Sequence, residues 1–173
     1  MGEQKHRVAH SSGAYEWYTP RAYVEAARQT MGGIDLDPAS CPEANTVVQA
    51  KRYYTEKDNG LFKAWAGRVF LNPPYRRGLI EEFCMKLVEE YASGNVTEAV
   101  LLVNNATETI WFQRLAHMAS ALRFPRGRLT FWQASTTEPS RPLQGQAILY
   151  LGDHAEAFAR EFSQFGLVMK LWA

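Results

Sequence analysis

Hydrophobic and polar positions in this chain switch between a helical and a strand period several times along its length. Arg21 to Arg28, with Ala22, Tyr23, Val24, Ala26 and Ala27, is a helical stretch in which Thr19 is placed as N-cap and Pro20 at the first helical position. Gly32-Gly33 breaks it, and Ile34-Asp35-Leu36-Asp37 reads as a short strand running into Pro38. Ala44 to Thr55 stays ambiguous, since Val47, Val48 and Ala50 allow a short helix while Tyr53-Tyr54-Thr55 prefer a strand. Asp58-Asn59-Gly60-Leu61 is a turn, and Leu61 to Trp65 can form a helical turn or two.

Arg68-Val69-Phe70-Leu71 is a short buried strand bounded by Gly67, and it must stop at Asn72 because Pro73 and Pro74 offer no N–H for pairing. An amphipathic helix follows from Gly78, with Leu79, Ile80, Phe83, Leu87, Val88 and Tyr91 near one face, and ends at Ser93-Gly94-Asn95. Ala99 to Val103 is continuously apolar, as expected of a parallel strand covered on both faces. Thr107 is placed to cap a helix over Thr109 to Ser120.

Later the strands lie closer together. Leu122-Arg123-Phe124 and Leu129-Thr130-Phe131-Trp132 flank an arginine-rich loop, and a polar segment runs on to Gly145. Gln146 to Leu151 is a strand, Asp153 caps a helix to Phe162, and Gly166 to Leu171 supplies the last strand. The pattern predicts an α/β fold with a mostly parallel sheet, an antiparallel edge strand and helices on both faces. Residues 1–14 read as a flexible polar tail and residues 15–173 as one domain.

Composition changes this picture little. No apolar run approaches the ~18 residues of a membrane span and the N-terminus lacks a signal-peptide apolar region, so a cytoplasmic protein is expected. Cys41 and Cys84 fit no metal spacing and read as reduced thiols, so no metal site is expected. A formal net charge of +1 neither supports nor excludes nucleic acid.

Candidate chemistry gathers at Asn72-Pro73-Pro74-Tyr75. The prolines push Asn72 out of the helical region and leave its carbonyl, and that of Pro73, seeking other partners. An amide that accepts and donates beside a flat tyrosine ring could hold a planar, amino-bearing ring. The plain alternative is a proline turn with a packed aromatic, and the strand–turn–helix context favours function.

This tetrad resembles that of S-adenosylmethionine-dependent methyltransferases acting on exocyclic or amide nitrogens. Taken with Trp17-Tyr18-Thr19-Pro20, Asp35-Leu36-Asp37-Pro38-Ala39-Ser40 and Asp58-Asn59-Gly60-Leu61, the chain is similar to the small phage-type DNA adenine N6-methyltransferases from about Tyr15 onward. The resemblance implies a minimal Rossmann-like methyltransferase sheet, S-adenosylmethionine as cofactor and DNA as partner. It gives Asn72, Pro73, Pro74 and Tyr75 the catalytic role, and Tyr18, Thr19, Pro20, Asp37, Pro38, Ala39, Asp58 and Asn72 the cofactor. In that scheme Thr19-Pro20 meets the methionine end of the cofactor, Asp37 its amino-acid part, and Asp58 its adenine amino group. One departure is that the glycine-rich loop usual after Asp37 is replaced by Ala39-Ser40-Cys41-Pro42-Glu43. Asp37 and Asp58 also read as ordinary turn residues.

Arg76, Arg77, Arg126, Arg128 and Arg141 are candidates for phosphate or base contact, against the plain reading of surface arginines. Three functions remain open on sequence: a DNA adenine enzyme with its target base flipped out, a methyltransferase on an RNA or protein nitrogen, and a binding module without turnover.

Overall fold

The apolar run anticipated as a doubly covered strand is β4 (Val96–Asn104), the centre of a seven-stranded sheet. The computed structural model describes residues 18–76, 78–133, 136–140 and 144–171. Before β4 come α1 (Arg21–Met31), β1 (Leu36–Asp37), α2 (Pro42–Val48), β2 (Arg52–Tyr53), a 3-10 turn (Gly60–Phe62), β3 (Gly67–Leu71) and α3 (Leu79–Ala92). After it come α4 (Ile110–Met118), β5 (Ala121–Arg123), β6 (Phe131–Gln133), β7 (Thr136–Ser140), β8 (Gln146–Leu151), α5 (Ala155–Phe162), a second 3-10 turn (Ser163–Phe165) and β9 (Val168–Lys170). The expected tail, residues 1–14, lies outside the described residues.

The sheet order is β2-β1-β3-β4-β8-β5-β9, and β6 with β7 forms a separate hairpin. β2, β1, β3 and β4 pair parallel, whereas β8 is antiparallel to both β4 and β5, and β9 to β5. β5 therefore runs with the first four strands, and only β8 and β9 oppose them. The mostly parallel α/β sheet expected from the sequence stands, with antiparallel character reaching inward from the β9 edge to β8.

β4 reads as continuously apolar because both its faces are covered. Ala99, Leu101 and Val103 join the cluster built with α3 and α4, while Val100 and Leu102 join the one built with α1, α2 and α5. On the latter face Phe70 of β3 and Ile148 of β8 lie beside them. The period of two thus sends Asn104 and Gln146 to the same face, and Asn72, two residues past Phe70, continues it.

Three capping assignments need correction. The N-cap of α1 is Pro20, whose extended backbone (φ −57°, ψ 139°) lets its carbonyl accept from Tyr23 and Val24, so Thr19 sits one residue too early. Thr109 rather than Thr107 caps α4, its hydroxyl accepting from Phe112 N at 3.3 Å. His154 rather than Asp153 precedes α5, without a side-chain cap. The ambiguous stretch resolves into most of α2 and then β2, and the helix starts earlier, at Pro42, with the Cys41 thiol accepting from Ala44 N.

β1 is only two residues long, and its register is pinned at the amino end of the sheet. Arg68 of β3 grips Asp35 through Nε to Oδ2 (2.8 Å) and Nη2 to Oδ1 (3.0 Å), and its Nη1 reaches the Met31 carbonyl at the end of α1. Lys51 adds an ion pair at 2.8 Å. Gly67 makes room for this: it has φ +75°, and a Cβ there would stand 2.8 Å from Asp35 Oδ2.

The Arg68 guanidinium holds the Asp35 carboxyl well below the usual carboxylate range, against the opposing effect of burial. A carboxyl depressed in the folded state adds stability that is complete above its unfolded value, near pH 4, and is lost as the pH falls further. Asp35→Ala should cost about 2 kcal/mol in urea unfolding at neutral pH. The gap between variant and wild type should narrow on titration below about pH 4.

Candidate active site

Strand direction brings the carboxyl ends of β1, β3 and β4 to one edge, so the Asp37, Asn72 and Asn104 regions share a side. Because α1 leads into β1 through Gly32-Gly33, its amino end returns to that same edge.

The β3–β4 pairing ends at Leu71 opposite Leu101, and the chain then leaves the sheet through Asn72, Pro73 and Pro74. Asn72 is half-buried, Pro73 buried and Pro74 exposed. The half-buried Tyr75 donates its hydroxyl to the Leu102 carbonyl (3.2 Å) and meets Phe131 edge-on, with centroids 6.3 Å apart. Burial raises its hydroxyl pKa well above the usual phenol range, so the ring is neutral at every working pH. Asn104, two residues past Leu102, donates to Gln144 Oε1, while its own Oδ1 and the Oε1 of Gln146 opposite it are buried with no hydrogen-bond partner among the described residues.

The other half of the edge is built from Tyr18 to Pro20. Tyr18 pairs with Trp132 of β6 through two backbone bonds, Tyr18 N to Trp132 O (3.0 Å) and the reverse (3.2 Å), and their rings lie 4.6 Å apart. Its hydroxyl accepts from Cys41 Sγ at 3.3 Å, tying the segment to the loop after β1. Thr19 is 5% exposed; its carbonyl accepts from Trp132 Nε1 (3.1 Å), and its hydroxyl is buried with no partner among the described residues. Asp37 is 3% exposed and makes no ion pair among the described residues, while Ala39 N donates to its Oδ1 at 3.2 Å. Burial pushes its carboxyl up to about 6, with the Ser40 hydroxyl and Ala39 N–H pulling the other way. Pro38 is buried and Ala39 half-buried.

Asp58 is exposed, and both its bonds, from Thr55 N (2.9 Å) and Thr55 Oγ1 (2.7 Å), fall on Oδ2. These bonds lower its pKa and define a turn, while Oδ1 makes no hydrogen bond among the described residues. The neighbouring Gly60 has a consequence the sequence pattern did not disclose. A Cβ on it would lie 2.0 Å from the Pro38 carbonyl oxygen, so the turn carrying Asp58 packs backbone to backbone on the loop that carries Asp37. Only glycine permits that approach, because any side chain at position 60 would collide with the facing backbone.

Arg76, Arg126 and Arg128 are exposed, and Arg126 N donates to the Phe165 carbonyl. Arg77 and Arg141 lie outside the described residues, as does Trp17. Trp132 and Gly60 are the residues that sequence reasoning missed. Trp132 had one visible signal, an indole N–H donor at the base of a polar hairpin, which needs a partner when buried. Among the described residues no cluster of His, Cys, Asp or Glu could hold a metal ion.

A family model described as DNA N-6-adenine-methyltransferase (Dam) matches residues 9–166. No curated protein matches the chain.

Two outcomes follow from the packing of this edge. Between about pH 4 and about 6 the folded state holds the Asp37 proton that the unfolded chain releases, so stability should fall as pH rises across that window. Asp37→Asn should flatten that part of a plot of melting temperature against pH. Gly60→Ala should force the 38–40 loop away and weaken ligand binding at this edge by at least about tenfold, read by calorimetry, because backbone cannot yield as a side-chain tip can.

Proposed function

The chain belongs to the DNA N-6-adenine-methyltransferase (Dam) family, and from that premise we propose that it uses S-adenosylmethionine to methylate the amino group of an adenine flipped out of DNA. The family acts on DNA adenine, which sets aside an RNA or protein acceptor and a module without turnover. The observation that carries the proposal is the adjacency of Asp37, ending β1, and the Asn72–Tyr75 tetrad, following the neighbouring parallel strand β3.

The residues fit the proposed donor. Thr19 offers a buried hydroxyl without a partner, and Asp37 a buried carboxyl without a cation, among the described residues. The amino end of α1 at the same edge suits a carboxylate. An ammonium beside Asp37 would favour the anion and offset its desolvation. Tyr18, Pro20, Pro38 and Ala39 shape the walls, and Oδ1 of Asp58, without a hydrogen bond among the described residues, can accept from an adenine amino group. S-adenosylmethionine, when bound, supplies an electrophilic methyl group on sulfonium.

On the acceptor side, the Asn72 side-chain oxygen and the Pro73 carbonyl accept from the two amino hydrogens of adenine. These contacts raise electron density on nitrogen and aim its lone pair. Pro74 holds the turn rigid. Tyr75 presents its face to the base, and stacking worth about 1–3 kcal/mol offsets much of the unstacking involved in flipping. Arg76, Arg126 and Arg128 face solvent where phosphates can reach them, with Arg77 and Arg141 as further candidates. A cytoplasmic location goes with a DNA substrate; among the described residues no helix is long and apolar enough to cross a membrane.

Methyl transfer from labelled S-adenosylmethionine to duplex DNA tests the reading. Asn72→Ala should lower kcat by about 10²–10³-fold while cofactor and DNA affinities change little. Tyr75→Phe should keep most activity, whereas Tyr75→Ala should diminish the signal of a fluorescent base analogue on flipping. Undiminished methylation by Asn72→Ala would reduce the tetrad to a structural turn.

A further inference from the structure

Neighbouring residues of β6 touch different halves of the site. Phe131 meets the Tyr75 ring, and Trp132 carries the backbone bridge, the ring contact and the indole bond to Tyr18 and Thr19. Successive side chains of a strand point to opposite sides. One short strand therefore runs between the segment proposed for the methyl donor and the aromatic proposed for the acceptor.

The contacts to Trp132 immobilise Thr19 without using its hydroxyl. Both backbone groups of Tyr18 are committed to Trp132, and the Thr19 carbonyl to the indole N–H. What remains is the Thr19 hydroxyl, buried and without a partner among the described residues. A buried donor-acceptor held in place yet unsatisfied is destabilising unless a ligand completes it. Local sequence does not set this arrangement, since Pro20 starts α1 with no side-chain cap from Thr19.

We propose that Trp132 is a positioning residue for the methyl-donor site: through its indole N–H and its backbone pairing it fixes Tyr18 and Thr19, so donor affinity depends on the hairpin base. The inference rests on Thr19 belonging to the donor site. It also links the two substrates, because the strand that fixes Thr19 leads into the polar hairpin after the arginine-rich loop.

Trp132→Phe keeps an aromatic ring and removes the indole donor. Calorimetry with S-adenosylmethionine should show affinity about fivefold weaker, the equivalent of one ordinary hydrogen bond, with kcat at saturating donor little changed. In a Thr19→Ala background the same change should have little further effect, because the group being positioned is gone. A fully additive pair, or a variant that lowers the melting temperature and weakens donor and DNA alike, would make Trp132 merely structural and overturn the proposal.

Hydrogen exchange on the wild-type protein supplies a measurement that needs no variant. Saturating S-adenosylmethionine should slow exchange at the Tyr18 and Trp132 amides, and unchanged protection counts against the proposal. The reading it rests on is tested separately. If Asp37→Ala and Thr19→Ala both bind S-adenosylmethionine as wild type does, the donor site itself is misassigned. If they weaken it while Trp132→Phe does not, only the positioning role fails.

Discussion

The arrangement of the sheet's carboxyl edge depends on a charge pair at its opposite end. β1 is too short to set its own register, and the Asp35–Arg68 grip fixes it against β3 with Leu36 opposite Val69. With that register Asp37 ends β1 level with Phe70, and Asn72 follows two residues later as the chain leaves β3, so both reach the carboxyl edge. A slip of one residue would turn Asp37 to the α3–α4 face and Leu36 to the other. Ionic gripping suits this place because the pair is only partly buried, so it keeps hydration while its bidentate geometry supplies direction.

The sequence disclosed whatever local chemistry determines. Proline makes the end of β3 unavoidable, the apolar run of β4 announces cover on both faces, and the helices show their faces by period. Caps were less legible. A hydroxyl or carboxylate stands near the start of α1, α4 and α5, and which residue becomes the cap depends on backbone angles that a residue type does not specify. The pairing of Tyr18 with Trp132 joins positions far apart in the chain, and no periodicity encodes it. Gly60 looked like an ordinary turn glycine, since its reason lies in the Pro38 carbonyl across a gap closed only by folding.

Buried polar atoms without partners collect at the same edge: the Thr19 hydroxyl, Asn104 Oδ1 and Gln146 Oε1, all among the described residues. Each such group is destabilising by about 1–3 kcal/mol if nothing satisfies it. The opposite end of the sheet behaves differently. There Tyr150 donates to Glu98, His154 N donates to Tyr150, and Ser120 donates to the Gly152 carbonyl. These unpartnered groups thus stand at the carboxyl edge, while this network at the amino end is satisfied.

Tyr75 shows what that division achieves. Its hydroxyl is tethered to the Leu102 carbonyl and its ring is flanked by Phe131, so its rotamer is settled when the chain folds. A base stacking there, as proposed, would meet a side chain already held at two points. On the proposed function, the entropy change of base capture should therefore reflect the nucleotide more than the protein.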